Sequence, residues 1–399
     1  MYKPLTIPDN IKKMIKEYLH MEVTKGLNLR DAASKKLKRY LEKTADGSYT
    51  LPSDERMGNR ETMHTLHGAI TESYEKFVKP SKLEGKDNLK VLDICSGLGY
   101  NTTALIGHLE CAMSVDMIEA SPETIAATLL IPSPIKEHEI VKRVYEEWLI
   151  KEGLVRFQLI KAEIPDSLSF RVFCEDARKV LPSLTPKYYD AIFLDAFSPS
   201  IAPELYTLEF MKELYRIIKD DGVLTTYTSA APVRAAMIKV GFHVGESPPF
   251  GRKRGGTIAS PSKGKVGSLS MEDERMIALS DAGIPYRDHG LDDSPEKIIE
   301  RRKNERMVLR NVKKISSTVR TPIYLGRRVE MDRMGRRILK NLERVGIPDT
   351  LSNKALYIIC PQFEECICGC GLSRLSSSRD RILEMEKRLN TIIKGDSNV

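Results

Sequence analysis

Four carboxylates stand where apolar runs end, and one loop holds two close glycines. Asp93-Ile-Cys-Ser-Gly97-Leu-Gly99-Tyr-Asn101 begins in the last two residues of LKVLDI and reads D-x-x-x-G-x-G. Glycines after a strand let backbone approach a ligand, and the next helix offers its N-terminus. A plain tight turn has the same composition. Position 102 is Thr, so the G-x-G-x-x-G spacing of a dinucleotide site is missing. Glu119 follows the next run, AMSVDMI, where a carboxylate accepts from two ribose hydroxyls. Asp116 competes for that role, but the strand pattern buries it. FRVFC runs into Glu175-Asp176-Ala177, where a carboxylate accepts from an adenine amino group. A sulfonium nucleoside has no pyrophosphate to clamp and fits this set better than NAD. S-adenosyl-L-methionine is therefore the expected cofactor. Its candidate contacts are Asp93, Ser96, Gly97, Gly99, Tyr100, Asn101, Glu119, Asp176 and Ala177.

The fourth carboxylate, Asp195, opens DAFSP after YDAIFL. Methyl transfer to an amine needs a neutral nitrogen lone pair aligned with the sulfonium. A carboxylate there orients the amine and accepts its proton; capping the following turn is its plainer role. Phe197 and Tyr206 are candidates to wall the acceptor pocket, since rings stack on bases. Core packing would equally explain Phe197. Arg252, Lys253 and Arg254, in FGRKRG, form a cation run suited to phosphate or simply to solvent.

Positioning these residues requires strands alternating with helices. The runs at 89–94, 112–118, 170–174, 189–194, 222–228 and 242–246 predict strands, with helices between them. The expected fold class is α/β, a doubly wound, Rossmann-like parallel sheet with ligands at the carboxyl ends of its strands. Helical periodicity also covers 8–43, 60–79, 272–283, 294–314, 330–345 and 379–393. Three regions result: a basic helical extension over 1–45, the α/β domain over 46–260, and a basic, mainly helical region over 261–399.

The chain has 399 residues, 41% hydrophobic and 30% charged, with net charge +8. The first region carries +6, residues 46–249 carry −8, and residues 250–399 carry +10. Basic ends around an acidic middle suit a polyanion such as nucleic acid, or a solvated Lys/Arg-rich surface. No run of ~18 apolar residues exists, so no membrane partner is expected. The opening MYKPLTIPDNIKK lacks the apolar core of an export signal, and a cytoplasmic location is expected. Cys360, Cys366, Cys368 and Cys370 cluster near the end. Their spacing is not that of a standard zinc ribbon. Four thiolates there would complete a structural zinc or iron–sulfur site; a disulfide or buried thiols would also account for them.

Longer blocks carry a family resemblance. TADGSYTLPSDERMGNRETMHTLHGAITESYEKF, LDICSGLGYNT, YDAIFLDAFSPSIAPELYT, GVLTTYTSAAPVRAAMIKVGF and FGRKRGGTIAS resemble the MnmC-type tRNA 5-methylaminomethyl-uridine methyltransferases. The resemblance covers roughly residues 44–260, with CSGLG less glycine-rich than the family's usual first loop. It implies a class I S-adenosyl-L-methionine-dependent methyltransferase core and N-methylation of an aminomethyl group at C5 of the wobble uridine of tRNA. It places catalysis on Asp195 and cofactor contacts on Gly97, Gly99, Glu119 and Asp176-Ala177. It also implies that Glu61, His64, His67 and Glu72 line the cleft; for each histidine, packing on a helix is the plainer expectation. No second G-x-G-x-x-G is present, so the stand-alone form without a flavin oxidase half is expected, with a separate enzyme supplying the aminomethyl precursor. The competing expectations are a spermidine-synthase-like aminopropyltransferase and a non-catalytic RNA-binding modification subunit.

Overall fold

The computed structural model describes residues 4–251 and 254–395. The chain divides into two compact units. One runs to Leu205 and adds Arg216–Thr228 and Ser247–Ile258. The other comprises Tyr206–Tyr215, Ser229–Glu246 and the chain from Ala259 on.

In the first unit, β1 (Glu42–Lys43) and β2 (Tyr49–Thr50) form an antiparallel hairpin. Five strands follow: β3 (Leu89–Ile94), β4 (Met113–Ile118), β5 (Leu168–Phe173), β6 (Tyr189–Leu194) and β7 (Ile218–Thr226). They pair in parallel in the order β5-β4-β3-β6-β7. A further strand, His243–Glu246, lies in the second unit. The central strands β3 and β6 are buried almost throughout, as their continuous apolar runs require. Strand order reverses between β3 and β6, and a crevice opens at their carboxyl ends. In register, Asp93 stands beside Phe193 and Ile94 beside Leu194, so the loops after both strands emerge together.

Helix Tyr100–His108 follows the glycine loop, and helices Pro122–Leu130 and Lys136–Lys151 follow β4. The N-terminal helices Asp9–Lys25 and Arg30–Leu37 belong to this unit and bury Ile11, Ile15, Ala33 and Leu37 in its core. A buried charge cluster fixes them. The Arg30 guanidinium donates to Glu22 (2.9 and 3.0 Å), to Glu146 and to the Phe157 carbonyl (2.6 Å). Glu22 also accepts from the Arg156 and Phe157 amides, and Glu146 from those of Leu159 and Ile160.

One predicted helix starts late. Periodicity assigns a helix to 60–79, but it begins at Ala69. Ser48 and Asp46 cap it from the hairpin: Ser48 Oγ accepts from the Ala69 amide (2.9 Å), Asp46 from the Thr71 amide (2.9 Å). Gly68 before it takes φ +123°, and a Cβ there would meet Asp46 Oδ2 at 2.4 Å. Residues 60–68 are therefore a loop. It carries Glu61, His64 and His67.

The second unit is mainly helical, with Met271–Leu279, Pro295–Leu309, Arg333–Glu343, Asn353–Ile359 and Ser378–Lys394. Many of its arginines are structural. Arg381 is buried against Glu274 (2.6 Å), and Arg234 against Asp273 (2.9 Å). On helix Pro295–Leu309, Arg301 and Arg302 donate to the carbonyls of Arg287, Ile284 and Ala282. Arg306 and Arg310 share the buried Asp281.

Breaking a buried charge cluster from one side strands the remaining charge. Arg30→Ala, which leaves Glu22 and Glu146 buried without their shared cation, should therefore lower the unfolding free energy by ~3–5 kcal/mol in a urea titration.

Candidate active site

A cavity of about 570 Å³ opens in the first unit at the carboxyl ends of β3, β4, β5 and β6. The glycine loop forms one wall. Cys95 leaves β3 at φ +63°, a conformation rare without glycine, and Gly97 and Gly99 follow at +51° and +79°. For a residue other than glycine, such left-handed backbone persists only where the surroundings over-determine it. Here helix Lys136–Lys151 does so with one stripe. His138 Nε2 donates to the Leu98 carbonyl (3.0 Å). Val141 Cγ1 lies 2.4 Å from where a Cβ on Gly99 would stand. Tyr145 Oη donates to Ser96 Oγ (2.9 Å) and approaches the Gly97 carbonyl (3.3 Å). Residues three and four apart share a helix face, so these contacts come from one side of one helix.

Glu119 grips the same loop from β4. Its carboxylate accepts from the Gly97 amide (3.1 Å) and the Ser121 amide (3.0 Å), with further acceptor capacity toward the cavity it lines. Asp116 is committed elsewhere, to Arg171 Nε (2.7 Å) and Tyr189 Oη (2.5 Å). Asp176, after β5, lines the cavity and caps the next turn through the Arg178 amide (3.0 Å).

Asp195 lies opposite, after β6. Asn101 Nδ2 donates to Asp195 (3.0 Å) and also to Asp93 (3.3 Å), joining the two carboxylates. Asn101 Oδ1 is buried without a hydrogen-bond partner in the cavity wall. Burial, and then the nearby charge of Glu72, push Asp195 up to about 7. Burial raises Glu119 to about 7 and Asp93 to about 6, although hydrogen bonds oppose it in each.

Ser96, Gly97, Asn101, Glu119, Asp176, Ala177 and Asp195 line this cavity together, as do Glu61, His64, Glu72 and Phe197. Glu61 accepts from the Ser198 amide (2.9 Å) and hydroxyl, tying the 60–68 loop to the segment after β6. His64 rests edge-on against Tyr100, and desolvation holds its imidazole down at about 4, neutral at physiological pH. Glu72 accepts from the Thr65 amide (2.8 Å) and from Lys76.

Other predicted contacts stand back from the lining. Asp93 is fully buried and accepts from Thr102 Oγ1 (2.8 Å). Gly99 packs on Val141, and Tyr100 Oη bonds to the Tyr49 backbone. His67 is exposed beside Phe250, Tyr206 is fully buried, and Arg254 is exposed. Arg252 and Lys253 lie outside the described residues.

Sequence reasoning missed Lys76, Glu204 and Tyr227 in the lining. The i,i+4 spacing of Glu72 and Lys76 was a usable signal. Tyr227 follows β7 and obeys the same strand-end rule as Asp195.

Charge gives the cavity its character. Seven acidic residues line it against two cationic ones, Arg60 and Lys76, so it favours a cationic ligand. S-adenosyl-L-methionine fits this donor set: a positive sulfonium among carboxylates, and acceptors on both sides of a glycine loop.

Residues 135–262 match the family of S-adenosyl-L-methionine-dependent methyltransferases. The chain is similar to MnmC2 from Aquifex aeolicus, known from its crystal structure. Identity is 30% and TM-score 0.53, over 73% of this chain and 97% of that one. The chain belongs to the MnmC-type methyltransferase family. An uncharacterized protein of Methanocaldococcus jannaschii is 37% identical over 304 residues, 75% of this chain and 82% of that protein. MnmC of Aromatoleum aromaticum, a tRNA 5-methylaminomethyl-2-thiouridine biosynthesis bifunctional protein, is 27% identical over 205 residues. That match spans 48% of this chain and 31% of the bifunctional relative. Among the described residues, no helix is long and apolar enough to cross a membrane.

The raised carboxyl of Asp195 makes the folded state prefer its protonated form. Stability from this group is present below the unfolded value of 3.8 and is lost as pH rises through about 7. The melting temperature of Asp195→Asn should therefore gain on that of the wild type across this window and hold its lead above it. A pH series by scanning calorimetry, without ligand, checks this.

Proposed function

We propose that this MnmC-type chain N-methylates the aminomethyl group at C5 of a tRNA wobble uridine, using S-adenosyl-L-methionine. The observation that carries the reading is Asp195, held by Asn101 at the end of β6 in a carboxylate-lined cavity. The family relationship supports the donor, and the relatives' tRNA-modification names support the acceptor.

When bound, the cofactor supplies an electrophilic methyl carbon on a sulfonium sulfur, which keeps the bonding pair as the methyl leaves. Glu119 would hold the ribose hydroxyls, and Asp176-Ala177 the adenine edge. Ser96, Gly97 and Asn101 complete the cofactor wall, with Asp93, Gly99 and Tyr100 supporting it from behind. Asp195 accepts a hydrogen bond from the substrate amine, turning its lone pair toward the methyl carbon. As the N–CH3 bond forms, the surplus N–H proton passes to the Asp195 carboxylate. A carboxyl titrating near 7 suits that exchange at neutral pH. Phe197 walls the acceptor side. Glu61, through Ser198, sets the segment that carries Phe197, and His64 and Glu72 shape the entrance. Arg252, Lys253 and Arg254 would contact phosphates. A separate enzyme supplies the aminomethyl precursor.

The test is methyl transfer from labelled S-adenosyl-L-methionine into bulk tRNA, with nucleoside mass spectrometry of the product. A uridine derivative heavier by one methyl is expected. Unlabelled tRNA with intact cofactor binding would overturn the acceptor and leave the donor site standing. Asp195→Ala should cut turnover by ~10²-fold or more while cofactor affinity stays within a few-fold. Equal losses in both would make Asp195 a cofactor ligand instead. Replacing Arg252, Lys253 and Arg254 together with Ala should flatten the log–log salt dependence of tRNA binding by about 2–3. An unchanged slope would remove these residues from the phosphate interface.

A further inference from the structure

We propose that Cys360, Cys366, Cys368 and Cys370 bind one zinc ion as a tetrahedral tetrathiolate in the second unit. A tetrahedron with Zn–S bonds of ~2.3 Å has sulfur–sulfur edges of about 3.8 Å. The edges Cys360–Cys366, Cys366–Cys370, Cys366–Cys368 and Cys360–Cys370 measure 3.7, 3.8, 3.9 and 3.9 Å. All four sulfurs lie within 4.8 Å of one another. That spacing separates the two metal chemistries left open by sequence. An iron–sulfur cluster distributes its thiolates over several irons and spreads them apart. A single ion gathers all four around one point, as here.

Several N–H groups already face these sulfurs. The Gly371 amide donates to Cys366 Sγ (3.2 Å), and Arg388 Nη2 to Cys370 Sγ (3.5 Å). Four thiolates on a divalent ion leave two negative charges, and such outer donors offset them. Each thiol gives up its proton to solvent as the ion binds.

The loop itself needs a cross-link. Phe363–Ser377 runs 15 residues without helix or strand between Gln362 and helix Ser378–Lys394. No side chain from Phe363 to Leu375 is fully buried, so apolar packing does not hold it. Its ties are polar and lie mostly at its two ends: the Phe363 amide to the Cys360 carbonyl (3.0 Å), the Leu375 amide to the Pro361 carbonyl (3.2 Å), Arg381 to the Leu375 carbonyl (2.6 Å), Lys263 to Ser376, Ser377 to Asp380, and Arg374 to Glu364. A structureless loop of this length is uncommon in a compact unit unless something closes it. One ion joining Cys360, at the end of a helix, to three cysteines of the loop does so.

The experiment uses the full chain, purified under reducing conditions without chelator. Elemental analysis and native mass spectrometry should find one zinc per chain. Cobalt in its place should give the intense visible bands of tetrahedral thiolate coordination. The double variant Cys366→Ser, Cys370→Ser should lose the ion, and strong chelation of the wild type should speed proteolytic cleavage within Phe363–Ser377. The cobalt spectrum is read on the wild type and is independent of how the variant folds. Iron with inorganic sulfide, disulfides among the four, or a chain that takes up neither zinc nor cobalt with its thiols reduced would overturn the proposal.

Discussion

The amide of Asn101 is the pivot of the first unit. It belongs to the helix behind the glycine loop, yet its Nδ2 reaches both Asp93 on β3 and Asp195 after β6. Those two strands flank the point where the sheet reverses its order, so one side chain closes the crevice that this reversal opens. Burial makes both carboxylates reluctant to ionise, while the donor they share favours their charged forms and so limits the shift. The bridge ties helix Tyr100–His108 to the ends of β3 and β6 at the cavity wall.

Much of this site was legible because its rule is local. An apolar run that stops at an acid places that acid at a strand end, and parallel strands bring strand ends together. That Glu119 and not Asp116 faces the cavity was legible for the same reason, since Asp116 lies inside the strand, where Arg171 and Tyr189 bind it. The start of the helix at Ala69 was not legible. Its apolar spacing runs on through Met63 and Leu66, but Asp46 and Ser48 cap it later in the sequence from a hairpin twenty residues away. Periodicity cannot register a cap supplied from elsewhere in the chain. The residues it misassigned became the loop that carries Glu61 and His64 to the cavity.

Charge was also only partly readable. The count in the last 150 residues is strongly basic, and a count cannot tell an arginine facing water from one facing a carbonyl. Arg301, Arg302, Arg306 and Arg310 spend their guanidinium groups on the backbone and acids of residues 281–293. Irregular backbone leaves carbonyls without partners, and a planar fork of five donors is well suited to satisfy them. Part of the basic composition is therefore internal scaffolding. The exposed cations of helix Arg333–Glu343, among them Arg333, Arg337 and Lys340, remain on the surface.

The stripe His138, Val141 and Tyr145 makes the glycine loop a casting and the helix its mould. A loop that must find its shape unaided needs glycine wherever the backbone turns left-handed. One pressed into shape from outside can hold a cysteine at φ +63° and bulkier neighbours beside it. That accounts for CSGLG having so little glycine for its task. It also makes the residue after Tyr145 matter. Glu146 anchors Arg30 from the N-terminal helices, so the mould is itself clamped by helices Asp9–Lys25 and Arg30–Leu37. Two helices outside the cavity lining thus share in holding the wall that a ligand would meet.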